Sequence, residues 1–407
     1  MTDNLHRQDY ERDAAAPLAG IRVVDLSRLV AGNMVTHVLA DFGAEVIKIE
    51  DPVRGDDLRN WRVEGVSTYW KVYARNKKSL TLDYRTPEGR EVFAELLKTA
   101  HVVVENFVPG RLEKYGLGPD WLHSVNDKLI IVRVSGWGQD GPFRHKPGFG
   151  SLVEAMSGFA AMNGYGDRPP ILPPLALADM VAGLYGASAT MIALRHIEMN
   201  GGKGQVVDLS LFEPMLAILG PQAANYALTG DVVPRIGSRS TTASPRNVYE
   251  CSDGKFVALS ASMQSMAEKL FQTMGRPELI SDPRYATNTD RVRNDLELDA
   301  IVADFMRERT QEENLAIFDA AGVTVGPVCD ASDLGSHPYI QGREALIEVP
   351  DDEMGQLPMH NVTPRLSETP GAIRTPAPKL GEHTAEILSE LGIPSDRQAQ
   401  LKTGGVV

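Results

Sequence analysis

Cysteine is scarce in this sequence, and its scarcity excludes one large group of folds. Only Cys251 and Cys329 occur among 407 residues, and they are far apart in the chain. A disulfide framework therefore does not hold this chain together. Free thiols are typical of a reducing compartment, so we expect a cytoplasmic protein.

Positive charge is also in short supply. The chain has 41 Lys and Arg residues against 54 Asp and Glu residues, which gives a formal net charge of −13. An acidic protein of this kind repels nucleic acid and anionic membranes, so neither is expected as a main partner. A small anionic ligand would require a local cluster of basic residues.

Long uninterrupted apolar runs and metal-ligand motifs are missing as well. The longest apolar segment is broken by Asp179, Gly183 and Gly186, and this predicts that no stretch is built to cross a membrane. The nine histidines are scattered without the spacing of a ligand set, so no metal site is predicted.

The first two hundred residues alternate short buried-strand patterns with helical patterns. Strands are predicted at 21–26, 43–50, 79–83, 101–107 and 129–137. Apolar strands joined through helices run parallel, so the fold class is α/β, with a parallel sheet covered by helices on both faces.

The rhythm changes after Phe212. A β-hairpin is predicted at 248–262 and is followed by helices, which indicates a smaller α+β domain. We place a large domain at 1–225, with residues 1–16 flexible, a linker and small domain at 226–339, and an extended return arm with the last part of the large domain at 340–407.

One acidic residue stands out in the stretch 173–212. Asp179 is the only acid in a mostly small and apolar run from Ile171 to His196. The residue fits two roles. It is typical of a helix N-cap, whose side chain accepts amide hydrogen bonds, and equally of a nucleophile or base on a rigid element beside an apolar wall.

Two groups of basic residues flank predicted strands. Arg75, Lys77 and Lys78 come just before one strand, and Arg111 and Lys114 follow another. Each alone is typical of a solvated surface. Together, in an acidic protein, they favour a ligand with several phosphates.

The first strand-to-helix turn argues against a nicotinamide enzyme. The segment DLSRLVAGN has the single glycine Gly32 where a dinucleotide fingerprint has three, although Glu50 ends the second strand as a ribose-binding acid would. Such an oxidoreductase remains a remote alternative.

Seven motifs between Pro17 and Gly392 carry a family resemblance. They are PLAGIRVVDLSRLVAG, LADFGAEVIKIE, RNKKSLTLD, VVVENFVPGRLEKYGLG, SGWGQDGP, LADM and PAPKLGEHT. Together they resemble the family III CoA-transferases (CaiB/BaiF family), the formyl-CoA and carnitine CoA-transferase group that also includes the α-methylacyl-CoA racemases. The resemblance implies a Rossmann-like large domain made from both chain ends, and a homodimer of interlocked protomers.

The resemblance also implies the chemistry. Its catalytic aspartate corresponds to Asp179, which would carry an aspartyl anhydride and then an aspartyl-CoA thioester while CoA moves from an acyl-CoA to a small carboxylic acid. Acyl-CoA would be a substrate, with no tightly bound cofactor. The implied CoA-binding residues are Val30, Ala31, Asn76, Lys77, Asn106, Phe107, Arg111, Lys114 and Trp137.

The sequence departs from the family at three informative positions. Asp51 replaces a basic residue that some relatives place on the adenosine, so Arg54 or Arg59 would have to substitute. Val30 replaces a glutamine beside the reacting carbonyl. Phe149 stands where the racemases have histidine, and phenylalanine cannot move a proton. Transfer is therefore favoured and racemisation is the alternative, while a succinyl-CoA donor is expected from family habit.

Overall fold

A computed structural model of the protein describes residues 5–407. Those residues form two compact units. The larger contains residues up to Gly158 together with Pro173–Gly220 and Gly335–Val407, and the smaller contains Phe159–Leu172 and Pro221–Leu334. The small domain expected from the sequence ran from 226 to 339; the segment 159–172 was not expected in it.

The strands fall into three sheets. In chain order they are β1 His6–Arg7, β2 Arg22–Asp25, β3 Glu45–Glu50, β4 Lys77–Thr81, β5 Val102–Glu105, β6 Ile130–Ser135, β7 Val206–Ser210, β8 Arg246–Glu250, β9 Phe256–Ser260, β10 Val325–Pro327, β11 Leu346–Asp351 and β12 Gly355–His360.

The helices connect and cover these strands. They are α1 Ala31–Asp41, α2 Thr68–Tyr73, α3 Pro87–Thr99, α4 Arg111–Lys114, α5 Pro119–Val125, α6 Gly150–Met156, α7 Phe159–Met162, α8 Leu177–Asn200, α9 Phe212–Ile218, α10 Gln222–Thr229, α11 Gln264–Thr273, α12 Asn288–Arg293, α13 Asp295–Arg307, α14 Gln311–Ala321, α15 Ala331–Leu334, α16 Pro338–Gly342, α17 Thr384–Glu390 and α18 Ser395–Thr403. Two short 3₁₀ turns occur at Asp57–Asn60 and Pro277–Ile280.

A six-stranded parallel sheet organises the larger unit, and it confirms the predicted α/β class. Its strand order is β4-β3-β2-β5-β6-β7. In the register of the sheet, Val23 on β2 lies between Val46 on β3 and Val102 on β5. From β2 the chain adds β3 and β4 on one side of the sheet, and from β5 it adds β6 and β7 on the other side. The loops that follow β2 and β5 therefore run apart at the carboxyl edge of the sheet.

Helices cover both faces of this sheet, which explains why the strands are apolar throughout. On one face α3 and α5 join the last two helices, α17 and α18, through a shared core that includes Phe93, Leu122, Ile387 and Leu401. On the other face α1 and α8 pack against the strands. Both chain ends therefore contribute to the larger unit.

The N-terminal segment is bound to the rest of the unit. Strand β1 pairs in parallel with β11, and Tyr10 donates a hydrogen bond from its hydroxyl to the carbonyl of Pro350. The expectation of a flexible arm over 1–16 is therefore wrong from residue 5 onward, because a returning hairpin far along the chain supplies an edge for it; residues 1–4 lie outside the described residues.

Helix α8 is longer and more apolar than the sequence interpretation allowed. By length and composition alone its 24 residues could cross a membrane, and 44% of its most apolar 18-residue stretch is buried inside the protein. The sequence interpretation took Asp179, Gly183 and Gly186 to break this segment, but one acid and two glycines do not stop the helix. Core helices of soluble proteins pass the same test, and this one packs against α1 and the sheet.

The smaller unit contains the predicted hairpin. Strands β8 and β9 pair in antiparallel fashion, with Arg246 opposite Ser260, and β10 adds a third antiparallel strand. Helices α11, α13 and α14 pack on it through buried residues that include Phe271, Val302 and Phe318.

Candidate active site

Asp179 lies in the first turn of α8, but it does not cap the helix. The N-cap position is Ala176, and no side chain there caps the helix amides. Asp179 is three residues further on, inside the helix, so the N-cap interpretation is wrong. The carboxylate is thus free for another purpose.

The carboxylate of Asp179 rests against Gly150, the first residue of α6. A Cβ atom added at Gly150 would overlap Oδ2 of Asp179 and would lie 3.6 Å from the Cβ of Ala178. Gly150 is buried, so the missing side chain is not simply replaced by solvent. A glycine at this position therefore provides the space that the carboxylate occupies.

A second acid, Glu154, lies one helical turn after Gly150. Its side chain is buried, and its Oε1 accepts a hydrogen bond from the backbone N–H of Ala178 at 3.0 Å. This contact gives the first turn of α8 an acceptor that no N-cap side chain supplies. It also holds Glu154 beside the residue that precedes Asp179.

The surroundings of Asp179 make its carboxyl a weaker acid. Burial, and then the negative charge of Glu154, raise the pKa of Asp179 from 3.8 to about 6. A hydrogen bond from the backbone N–H of Asp179 itself lowers the pKa without cancelling these two effects, and no lysine, arginine or histidine among residues 5–407 contributes. A half-buried carboxylate without a cationic partner is a more basic oxygen nucleophile than an exposed one.

Val30 and Ala31 lie close to the same end of α8. Val30 is buried with Leu58 and Trp70, and Met180, next to Asp179, packs against this cluster. Ala31 begins α1. The structure thus places the predicted first-turn residues against the first two turns of α8, through Met180 and Gly183.

A cavity of about 190 Å³ opens at the carboxyl edge of the parallel sheet. Its lining comes from the loops that follow β2, β3, β4 and β5 and includes four arginines, Arg28, Arg54, Arg85 and Arg111. Parallel sheets bind ligands at this edge, beside the point where strand order reverses. The same lining also includes five carboxylates, those of Glu50, Asp51, Asp56, Asp57 and Asp83, so the cavity has mixed charge. The arginines are the groups in it that suit a phosphate.

Phe107 forms one wall of this cavity. Its ring is buried, with the guanidinium groups of Arg28 and Arg111 at 5.6 and 5.5 Å from the ring centre. The Asn106 side chain instead binds the backbone of the neighbouring loop. Its amide oxygen accepts a hydrogen bond from the N–H of Arg28 at 2.8 Å, and its amide nitrogen donates one to the carbonyl of Arg28 at 2.7 Å. Asn106 therefore fixes the loop that carries Arg28.

Arg54, not Arg59, is the basic residue available to this cavity. The Arg59 guanidinium makes two hydrogen bonds to Glu50, at 2.7 and 2.8 Å, and lies over the Trp70 ring. Arg54 is exposed and is 3.7 Å from Asp51. Of the two arginines that the sequence offered, only Arg54 lines this cavity, and the contact with adenosine stays a prediction.

Lys77 does not lie where phosphates could reach it, which corrects its predicted role. It is 2% exposed, and its Nζ donates to Thr36, Asn33 and Asp25. The physical reason is that Lys77 begins β4, whereas the cavity is lined by the loop that follows β4, at the opposite edge. Burial lowers the pKa of Lys77 to about 8 despite the charge of Asp25.

Asn76 is likewise occupied within the protein. With a positive φ of 64°, it donates to Asp41 and to the carbonyl of Ala372, and its oxygen accepts from the N–H of Arg374. This side chain ties the return arm to the sheet, so it is not available to CoA in this geometry.

Trp137 and Lys114 lie outside the arginine-lined cavity. Trp137 follows β6 and lines a separate cleft of about 240 Å³ with Phe143, Met156 and Phe212. Lys114 is exposed at the end of α4. Met156 belongs to the helix that begins at Gly150, so the Trp137 cleft and Asp179 are built on the same short helix.

Sequence reasoning missed three residues of the site. Arg28 and Arg85 both follow strands, and counting basic residues from the carboxyl ends of the strands would have found them. Glu154 gave no such signal, because its importance depends on a contact with Ala178, which is 24 residues further along the chain.

The site thus combines a carboxylate in the first turn of α8, with no cationic partner among residues 5–407, and a cavity with four arginines at the carboxyl edge of the sheet. The model of CoA-transferase family III matches residues 18–384. The chain is 40% identical over 395 residues to the succinyl-CoA–D-citramalate CoA-transferase of Chloroflexus aurantiacus, with 96% of this chain and 98% of that protein covered.

Two further comparisons agree. The succinate–glutarate CoA-transferase of Agrobacterium fabrum is 34% identical, with 96% of this chain and 98% of that protein covered. The crystal structure of a CAIB/BAIF family protein from Brucella suis matches with a TM-score of 0.81 at 35% identity, over 93% of this chain and 100% of that one. The chain belongs to the family III CoA-transferases and is an enzyme of that class.

The contact between Gly150 and Asp179 leads to a direct test. We expect Gly150→Ala to lower the CoA-transferase turnover number about 100-fold, because the new methyl group overlaps Oδ2 of Asp179 and forces the carboxylate out of its position. The neighbouring exposed Ser151 provides the control, and Ser151→Ala should keep its turnover. Thermal unfolding of both variants should stay near that of the parent protein. Full turnover in Gly150→Ala would show that the carboxylate does not need this space.

Proposed function

We propose that this enzyme moves CoA from an acyl-CoA to a free carboxylic acid through covalent intermediates on Asp179. The observation that carries the proposal is the uncompensated carboxylate of Asp179 against Gly150, at the end of a tightly packed helix. A transferase that forms a new thioester without another energy source has to conserve the energy of the old one, and an acyl-enzyme does so.

The first half-reaction exchanges the acyl group for CoA on the enzyme. A carboxylate oxygen of Asp179 attacks the thioester carbonyl carbon, the carbon–sulfur bond breaks, and CoA leaves as a thiolate with the electron pair. The thiolate then attacks the Asp179 carbonyl of the mixed anhydride. The donor acid leaves as a carboxylate, and an aspartyl-CoA thioester remains.

The second half-reaction reverses this order with a new acid. The acceptor carboxylate attacks the aspartyl-CoA thioester and again releases CoA thiolate, which leaves a mixed anhydride of the acceptor. The thiolate attacks the acceptor carbonyl, the new acyl-CoA departs, and the Asp179 carboxylate is regenerated. The apolar cluster around Val30 and Trp70 excludes water from one side of these intermediates.

Coenzyme A binds, in this proposal, along the carboxyl edge of the Rossmann-like sheet. Arg28, Arg54, Arg85 and Arg111 would hold the phosphates, and Phe107 would form the wall beside them. Val30 and Ala31 lie between this edge and α8, so the pantetheine arm would pass them on its way to Asp179.

The acids are proposed from the relatives. Those described above are named for succinyl-CoA with D-citramalate and for succinate with glutarate. Citramalate, succinate and glutarate are small dicarboxylates, and succinyl-CoA is the thioester of one. We therefore propose succinyl-CoA as donor and a small dicarboxylic or hydroxy-dicarboxylic acid as acceptor.

The racemase alternative finds no support in the site. Racemisation needs a second proton-transferring group across from the carboxylate. Phe149 immediately precedes the glycine that contacts Asp179, and it is 63% exposed. A phenyl ring at this position has no proton to exchange.

The covalent route predicts a loss of all transfer in Asp179→Asn. An amide is a poor nucleophile, so transfer from succinyl-CoA to any acid of a dicarboxylate panel, followed by mass spectrometry, should fall by at least about 10⁴-fold. Asp167→Asn, in an exposed loop, is the matched control. Hydroxylamine added with donor to the parent enzyme should convert Asp179 to a hydroxamate. Undiminished transfer by Asp179→Asn would refute the nucleophile.

The raised pKa of Asp179 predicts a pH dependence with a definite sign. The carboxylate attacks only when ionised, so kcat/KM should be level above about pH 6 and fall tenfold for each pH unit below it. An exposed aspartate, with an ordinary pKa of 3.8, would keep the rate level to far lower pH. A phosphate of CoA also titrates near pH 6. Calorimetric CoA binding at each pH separates the two effects.

A homodimer is proposed on the exposed face of α8. Leu184, Tyr185, Ile192 and Met199 are each between 45% and 72% exposed, although they are apolar. Several exposed apolar side chains on one long helix are typical of a protein interface. Light scattering should give twice the chain mass of 44.3 kDa. Ile192→Lys should reduce the dimer fraction, whereas Leu296→Lys, an isolated exposed leucine, should not; a parent protein of monomer mass would contradict the proposal.

A further inference from the structure

Glu154 is a buried acid without a role in the reaction as written above. Its carboxylate is 2% exposed, and its recorded hydrogen bond runs to the N–H of Ala178, the residue before Asp179. A buried carboxylate next to another carboxylate costs free energy, because two like charges repel each other strongly away from water. A glutamine would keep an oxygen for the N–H of Ala178 without that repulsion, so the charge itself calls for an explanation.

We infer that Glu154 is a positioning residue that destabilises the free carboxylate of Asp179 and thereby favours its acylated forms. The inference rests on Asp179 being the nucleophile. Once the donor acid has left and the aspartyl-CoA thioester remains, the negative charge that Asp179 carried has departed with that acid. Repulsion between the two side chains is present in the free enzyme and is absent from the anhydride and the thioester.

Two separate features of the structure support this inference. The first is geometric: Glu154 and Gly150 are one turn apart on α6, so one rigid helix both makes room for the Asp179 carboxylate and holds a charge near it. The second is electrostatic: the negative charge of Glu154 is the one side-chain charge that raises the pKa of Asp179, and no cation among residues 5–407 cancels it.

The inference links two measurements that are otherwise independent. Removal of the Glu154 charge should lower the pKa of Asp179, because the ionised form loses a repulsive neighbour. The same free energy stabilises the free carboxylate against its uncharged acyl forms. The equilibrium ratio of covalent to free enzyme with donor acyl-CoA should then fall by the factor by which the pH profile moves, tenfold for each pH unit.

The experiment compares Glu154→Gln, Glu154→Ala and Glu154→Asp in the full-length enzyme. Glutamine keeps an oxygen that accepts from Ala178 N–H but has no charge, alanine removes both, and aspartate keeps the charge on a shorter side chain. For each variant the acid limb of kcat/KM is measured, and so is the covalent fraction, by acid quench and intact mass after mixing with succinyl-CoA. Circular dichroism checks the fold.

In Glu154→Gln we expect the fall of kcat/KM at acid pH to begin at a lower pH than in the parent enzyme. The ratio of covalent to free enzyme should decrease by the factor that corresponds to this pH shift. The KM for acyl-CoA should change less than twofold. Glu154→Asp should keep its limb near that of the parent enzyme and serves as the folded, charged variant. The inference would be overturned if Glu154→Gln kept the pH dependence and the covalent fraction of the parent enzyme while Glu154→Ala was impaired. Glu154 would then act only as an acceptor for the first turn of α8.

Failure of the nucleophile proposal gives a different pattern. In that case the parent enzyme itself shows no covalent adduct on Asp179, and Asp179→Asn keeps its activity. An adduct in the parent enzyme that persists unchanged in Glu154→Gln speaks against the role of Glu154 alone.

Discussion

The close approach of α8 to α1 is the constraint on which the rest of the site depends. Side chains at positions 183 and 186 would overlap Met34 and Val35 of α1, so glycines at both positions let the two helices meet nearly backbone to backbone. This contact fixes where the first turn of α8 lies, beside Val30 at the start of α1. A carboxylate on a loop could not be held to a fraction of an ångström in this way.

A second constraint holds the loop between β2 and α1 in place. Lys48 and Lys77 are fully buried and contact Asp25, and Lys48 also contacts Asp56 at 3.0 Å. Burial alone would raise the pKa of Asp25, yet the two ammonium groups outweigh burial and lower it. Buried charges of this kind are costly unless every partner is in place, so they favour one arrangement of the loop over its alternatives.

These two constraints explain why the site has its particular electrostatics. The arginines at the carboxyl edge lie beside acids, as Arg85 does with Asp83 at 2.6 Å, and they remain partly exposed. Asp179, in contrast, has a like charge for a neighbour. The carboxyl edge therefore carries guanidinium groups together with carboxylates, whereas no cation acts on Asp179 among residues 5–407.

The sequence by itself determined five of the six strands of the parallel α/β sheet, the β8–β9 hairpin, the family and Asp179 as the candidate nucleophile. These depend on local patterns, such as the apolar run VVVE of β5, or on motifs whose order along the chain is visible directly. Tertiary structure alone decided which charges are available. Lys77 and Arg85 are eight residues apart around the same strand, yet one is buried under α1 and the other lines the cavity. The pairing of Glu154 with the start of α8, and the docking of the N-terminal segment on β11, join residues distant in sequence. Burial and such contacts are set by the packing of the whole chain, which no local pattern of residues records.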